Sequence, residues 1–326
     1  MIMKQKLTHI ILTVIALLFC PKINFGQAPD LGTTAGFAVF TATGAFGNSG
    51  TTAIRGNIGA NTATPSGFPP GIVDGIIYQA GDGAASQAAT DVALAYSDLL
   101  GVTCDTVIGT TLGSGQVLDA RVYCLGAAST LNGNLILDGQ GDSNALFIFK
   151  IDGALLVSAF SSVTLINSAS ICNVYWQVNG EFELADSSVF RGTVINNGAI
   201  NLLEGSSLEG RALSIGGAVL LNNNIIKFVP DSATIIGTPG ICEGTTGVSF
   251  SVPPINNATS YVWILPLGAS IVSGNNTNSI TVDFSIGASS GYATVYGLNP
   301  CGDGIASPNY TLTVWLLPLT SAIYHQ

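Results

Sequence analysis

Reaction chemistry has few carriers in this chain. Histidine occurs only at His9 and His325, so no internal imidazole remains for a Ser-His-Asp triad, a histidine zinc site or a histidine acid/base pair. Carboxylates are the remaining candidates: Glu181, Glu183, Asp186, Glu204 and Glu209 could supply the paired acid and base of a polysaccharide-cleaving site. Most of them fall one per repeat beside turns, however, as solvated face charges do. Asp138-Gly139-Gln140-Gly141-Asp142 lacks the full calcium-loop pattern and reads as a tight turn. A phosphate loop of the Gly-Lys-Ser type and a dinucleotide fingerprint ahead of a helix are also missing. The sequence therefore reads as a non-enzyme with no cofactor and no metal.

What the chain offers instead is a recurring display of small hydroxyls. The doublets Ser161/Ser162, Ser187/Ser188 and Ser206/Ser207 return roughly once per twenty-odd residues, each leading into an apolar strand, and this period reads as stacked β-solenoid coils. Coils too small to bury their own apolar face gain a core only by stacking on the next. The inward set is expected to be Leu155, Val157, Val163, Leu165, Leu184, Val189, Val194, Leu208, Leu213, Val219 and Leu221. Asn179-Gly180, Asn197-Gly198 and Gly216-Gly217 are expected to form corners with positive φ. Aligning the doublets sets Leu184-Ala185-Asp186 and Leu203-Glu204-Gly205 opposite Ser158-Ala159-Phe160. Serine beside a corner is more often a turn residue than a ligand-facing one, and that reading carries the greater weight for the doublets.

Composition bounds the setting. The 326 residues are 47% hydrophobic but only 9% charged, with 40 glycines and a net charge of -10, so nine basic residues cannot supply the footprint of a nucleic-acid binder. Met1 to Lys6 followed by the uncharged run Ile10 to Phe19 has the form of a secretory signal, taken as residues 1–27, and implies a secreted or cell-surface protein. The run is too short for a membrane span, and no other stretch is long and apolar enough. Export permits disulfides, and the expected pairs are Cys104 with Cys124 and Cys242 with Cys301, leaving Cys172 as a buried thiol.

One helix is expected at about 84–100, where Ala85, Ala88, Val92, Tyr96 and Leu99 repeat at spacings of three and four; it must bury that stripe on the side of the solenoid. After Pro230 the pattern changes to strands at sandwich spacing, including Tyr261 to Ile264, Ser279 to Phe284, Tyr292 to Tyr296 and Tyr310 to Trp315. The domain reading is a solenoid over 28–230, a sandwich over 231–316, and a tail at 317–326 that looks truncated.

Two resemblances sharpen this picture. The run Leu137 to Ile151, with Ser162 to Asn167, Cys172 to Val178, Gly210 to Leu213 and the early Leu31 to Val39, resembles the microbial ice-binding protein family from about Leu31 to Pro230. The region after Pro230 resembles a PKD-like or immunoglobulin-like module of bacterial surface proteins. The first resemblance implies a mainly β fold: a discontinuous triangular β-solenoid with interleaved terminal segments, one long flanking helix and a flat face that binds an ice crystal surface. The family's Thr/Ser-Ala/Gly-x-Thr/Ser/Asn pattern has a relaxed match at Ser158 and Ser161 and partial ones at Thr41, Thr43, Thr62 and Thr64. Ser187 and Ser206 are added from the doublets. Asp186 and Glu204 are expected on the same face and should weaken it. The competing expectation is a structural or adhesive surface protein that keeps the fold without binding ice, with cell-surface partners for the C-terminal module.

Overall fold

The computed structural model describes residues 26–230, 232–255, 258–299 and 301–317. Residues 1–25, which hold most of the expected signal segment, and 318–326, most of the expected tail, lie outside this set.

Each complete coil contributes three parallel strands, as in Phe147–Ile151, Leu155–Val157 and Ser162–Ile166. The middle strands stack into a seven-stranded parallel sheet running from Thr111–Gly113 through Phe182–Leu184 and Val219–Asn222 to Phe46–Ser49. The flanking strands form a fifteen-stranded sheet that supplies the other two faces. Val189–Asn196 and Ser207–Ser214 belong to both of those faces, and they bend across the shared edge at Gly192 and Gly210, whose φ values are 111° and 153°. The solenoid is discontinuous. Phe37–Thr41 pairs with Ser207–Ser214, Phe46–Ser49 with Val219–Asn222, and Ala53–Arg55 with Ile225–Lys227, so the N-terminal segment completes coils begun far away in sequence.

The interior is filled by alternate residues of all three faces, as a period-two pattern requires. An aromatic ladder runs along the axis: Tyr123, Phe149, Trp176 and Phe190 stack with successive ring-centroid separations of 5.3, 3.9 and 4.8 Å. Trp176 satisfies its indole N–H on the Arg191 carbonyl, 3.0 Å away. Two residues expected inside are placed elsewhere. Val189 is half-buried and in register with Ser162 and Ser207, on the outside of a face; Leu213 is buried, but between its sheet and the helix.

Helix α1 spans Gly83–Gly101 and buries Ala85, Ala88, Val92, Ala95 and Leu99. These meet Phe40, Val122, Ile148, Tyr175, Ile195 and Leu213 from one face of the fifteen-stranded sheet. Small residues at the contact let the helix approach closely, and its last turn is closed by Lys150, whose Nζ donates to the carbonyls of Leu100 and Val102. Burial lowers the pKa of that ammonium.

The corners differ from the sequence expectation. Gly180, Gly198 and Gly217 do not take positive φ; they are glycine because a Cβ would strike the backbone of the preceding coil. A Cβ on Gly198 would lie 2.5 Å from the carbonyl carbon of Gly180, and one on Gly217 would lie 2.2 Å from that of Gly198. In that corner positive φ belongs instead to Gly44 and Gly153, and a second corner carries it on Phe160, Ser187, Gly205 and Asn223, at 58°, 55°, 67° and 51°.

Beyond the solenoid, a four-stranded and a five-stranded sheet enclose a second core around Phe250, Val282, Phe284, Val295 and Leu312. Strands Ser260–Ile264, Ser279–Phe284, Gly291–Asn299 and Tyr310–Trp315 match the sandwich reading, mostly in antiparallel pairs. The cysteine pairing is a correction. Cys104 bonds Cys124, but Cys301 bonds Cys172, and Cys242 is a free, exposed thiol. Cys172 is therefore no buried thiol. It reaches Cys301 because the module's hairpin tip packs on the solenoid, a contact that sequence spacing does not reveal.

Candidate adsorption face

Three faces are available, and the described residues treat them differently. The first lies under α1. The second, on the other half of the fifteen-stranded sheet, carries an outward column of Thr164, Arg191, Glu209, Lys227, Arg55 and Asp74. Arg191 Nε donates to Glu209 at 2.7 Å, and Ala258 and Thr259 of the C-terminal module share a cleft with both. This is a charged, partly occupied surface.

The seven-stranded face has neither helix nor module over it among the described residues. Its central column reads Thr111, Thr130, Leu156, Glu183, Asn201, Leu220 and Gly47, in register from strand to strand, with Ser66 bridged to Gly47. Leu156 and Leu220 are 41% and 53% exposed, while their neighbours Leu155 and Val219 are fully buried, which fixes the direction of the column. One rim consists of Ala154, Glu181, Ala199, Ala218 and Ala45, and the other of Asn132, Ser158, Ala185, Leu203, Asn222 and Ser49. Regular parallel pairing holds these columns at the interstrand repeat of roughly 4.8 Å. The result is a ladder of small or apolar neutral groups, interrupted by Glu181 and Glu183 on a single coil. Glu181 accepts from the side-chain amide of Asn201 across the strands.

The residues singled out from sequence scatter relative to this face. Ser158 lies on one rim and donates to Asn132 Oδ1, and exposed Thr64 extends the alanine rim, donating to Gln79 at 3.4 Å. Thr43 and Thr62 are exposed at the adjoining corner, where Thr43 donates to the Ile215 carbonyl and Thr62 accepts from the Gly44 N–H. Ser187 is exposed on a positive-φ turn. Thr41, Ser161 and Ser206 cannot contact a surface, being 0%, 2% and 1% exposed.

Those buried hydroxyls hold corners together. Thr41 donates to the carbonyls of Thr43 and Gly217, in a column with Asn196 and Ser214, which satisfy the glycine corner in the same way. Ser161, Ser188, Ser206 and Asn224 form the second column: Ser161 accepts from Gly133 N–H, Ser188 donates to the Ala185 carbonyl, and Ser206 donates to the Leu203 carbonyl. This column also corrects the alignment of the second coil by one residue. Ser161 stands over Ser188, because Ser162 pairs with Val189, which pairs with Ser207. Opposite Ser158 are thus Ala185 and Leu203. Asp186 and Glu204 lie in the turns, where Glu204 accepts from the Asn223 amide at 2.8 Å.

The central residues of the face were missed because Thr130, Leu156, Asn201 and Leu220 do not repeat one residue type or motif. The available sequence signal was the apolar-polar-apolar alternation of Phe182–Leu184 and Ile200–Leu202, whereas Leu155–Val157 is apolar throughout. No group of three or more metal-binding side chains occurs among the described residues. Asp138 and Asp142 instead accept from the backbone N–H groups of Gln140 and Asn144, two residues on, as turn-forming aspartates do.

Comparison with known proteins agrees with this architecture. The ice-binding-like family matches residues 40–227, and a PKD-like domain matches residues 229–312. An ice-binding protein from Nostoc sp. is 33% identical over 222 residues, covering 67% of this chain and 81% of its own. Among solved structures, an ice-binding protein from the Antarctic ascomycete Antarctomyces psychrotrophicus superposes with a TM-score of 0.59 at 32% identity, over 62% of this chain and 98% of its own. An ice-binding protein from an Antarctic Flavobacteriaceae bacterium gives 0.60 at 37% identity, over 67% of this chain and 56% of its own. With more than half its length matched by the family and a parallel solenoid of the same kind, this chain belongs to the ice-binding-like family and carries a PKD-like domain behind its solenoid.

Proposed function

We propose that this is an exported, non-enzymatic protein that adsorbs to ice through the seven-stranded face. The observation that carries the reading is the uncovered, in-register ladder Thr111, Thr130, Leu156, Glu183, Asn201, Leu220 and Gly47. A rigid sheet presents such groups at a fixed repeat, comparable to a lattice spacing, without first having to order them. The charged column of the second face is a poor match for a neutral lattice, because each carboxylate, ammonium and guanidinium holds its own water. Glu183 brings the same defect into the middle of the adsorbing face. Adsorption is therefore of moderate strength, enough to restrain recrystallisation with a small depression of the freezing point.

Ice-affinity partitioning of the full chain tests the reading: enrichment in the growing ice supports it. Exclusion from ice by a folded protein would overturn it and favour a structural or adhesive surface role, for which the two glutamates on the face and the PKD-like domain speak.

A further inference from the structure

The PKD-like domain meets the solenoid at the tip of one hairpin, where three attachments converge, and at Ala258 and Thr259, which share a cleft with Arg191 and Glu209. Cys301 bonds Cys172, which follows Ser170 in a short 3-10 turn, Ile171–Asn173, where the Ser170 hydroxyl accepts from the Cys172 N–H. The Cys301 carbonyl accepts from Arg211 Nη2 at 3.2 Å. Asn299 donates from its side chain to the Phe228 carbonyl, while its Oδ1 accepts from the N–H groups of Cys301 and Gly302 and so shapes the tip.

Arg211 is the centre of this joint. It is 3% exposed, has no carboxylate partner among its hydrogen bonds, and donates through Nε and Nη2 to the Ala35 carbonyl of the N-terminal segment, with its guanidinium 4.0 Å over the Phe228 ring. One side chain thus ties the inserted N-terminal segment, the central coils and the PKD-like domain. Burial of a cation is tolerated when its donors are satisfied, and here carbonyls and a ring face do so.

We infer that the PKD-like domain is locked onto the solenoid by a redox-set joint, Cys172–Cys301 backed by Arg211, rather than tethered by a flexible linker. The two cores are separate; Val229 and Cys301 pack on the solenoid core and Ala258 and Thr259 border the charged cleft, and on this proposal those non-covalent contacts hold the angle only while the disulfide is closed. With the disulfide closed, the sandwich sits beside the charged second face. Opening it makes the linker a hinge. Reduction by a dithiol breaks the S–S bond, delivers two electrons and two protons to leave two protein thiols, and converts the dithiol to its cyclic disulfide.

The test compares small-angle scattering of the full chain with that of the Cys172→Ser/Cys301→Ser double variant, in which Cys104–Cys124 is retained. The wild type is expected to fit one rigid arrangement, and the folded double variant to need an ensemble with a larger radius of gyration. Should the double variant fail to fold by circular dichroism, the same measurement is made on the Cys104→Ser/Cys124→Ser variant before and after dithiothreitol, with alkylation and mass spectrometry counting the thiols. Expansion on reduction is the expected result. Scattering curves that superimpose between closed and opened forms, or a wild type that already needs an ensemble, would overturn the inference.

Discussion

Asn224 donates from its side-chain amide to the hydroxyl of Ser206, 2.9 Å away, and both side chains are buried inside a corner of the solenoid. The pair links two coils, and Asn224 also donates to the Leu203 carbonyl. The serine doublets are therefore partly internal fasteners, one hydroxyl of each lying inside.

Removing one fastener should leave a buried partner short of one hydrogen bond. Ser206→Ala strands one Asn224 donor and weakens the hold on Leu203, and is expected to cost about 1–3 kcal/mol. Chemical denaturation checks this. Ice affinity of the folded fraction should not change, since Ser206 is not on a surface.

The glycine corner gives an effect at least as large. Gly198→Ala places a methyl group 2.5 Å from backbone that cannot move without shifting the neighbouring coil, and should destabilise by about 1–3 kcal/mol or more. Thermal unfolding of the variant should show a lowered midpoint, whereas Gly126→Ala, which meets nothing within 4 Å, should leave it nearly unchanged.

Acid should loosen the N-terminal segment. Asp91 on α1 accepts from both the N–H and the hydroxyl of Thr33, at 2.7 and 2.6 Å. Burial pushes its pKa up, but the Thr33 and Gln87 hydrogen bonds outweigh this and leave it below the ordinary 3.8. A depressed carboxylate pKa contributes stability that is present above 3.8 and lost as pH falls through the folded-state value. Asp91→Asn should flatten the acid limb of the stability profile, as read by the unfolding midpoint against pH from neutral to strongly acid.

Repeat period, the stacking of strands from coil to coil, the helix and the sandwich were legible in the sequence because each rests on local alternation or local spacing. Three features were not. Register was set in the second coil by a repeated dipeptide, and the one-residue difference between Ser161/Ser162 and Ser187/Ser188 moves every side chain to the opposite side of its sheet. The Cys172–Cys301 bond depends on how two separately cored units dock, with a sequence separation of 129. Residues of the proposed adsorbing face are alike mainly in direction and exposure, so a search for hydroxyl-bearing motifs and doublets found rim, corner and buried positions instead.

Glu183 should limit the activity of the face. Its carboxylate stands in the central column between Leu156 and Asn201, and Glu183→Thr should raise ice-recrystallisation inhibition by the folded protein. Asp186→Thr and Glu204→Thr, in turn positions, should do so much less. Equal gains from all three would place the adsorbing surface at the corner instead.

The most direct measurement of the central claim is ice-affinity partitioning of two matched variants. Leu220→Lys and Ile225→Lys each put a long cation at an exposed apolar position, 53% and 55% exposed, the first on the seven-stranded face and the second on the charged face. Both should fold as the wild type does. Leu220→Lys is expected to leave the ice fraction and Ile225→Lys to stay in it; the reverse order, or equal retention of both, would contradict the assignment of the adsorbing face.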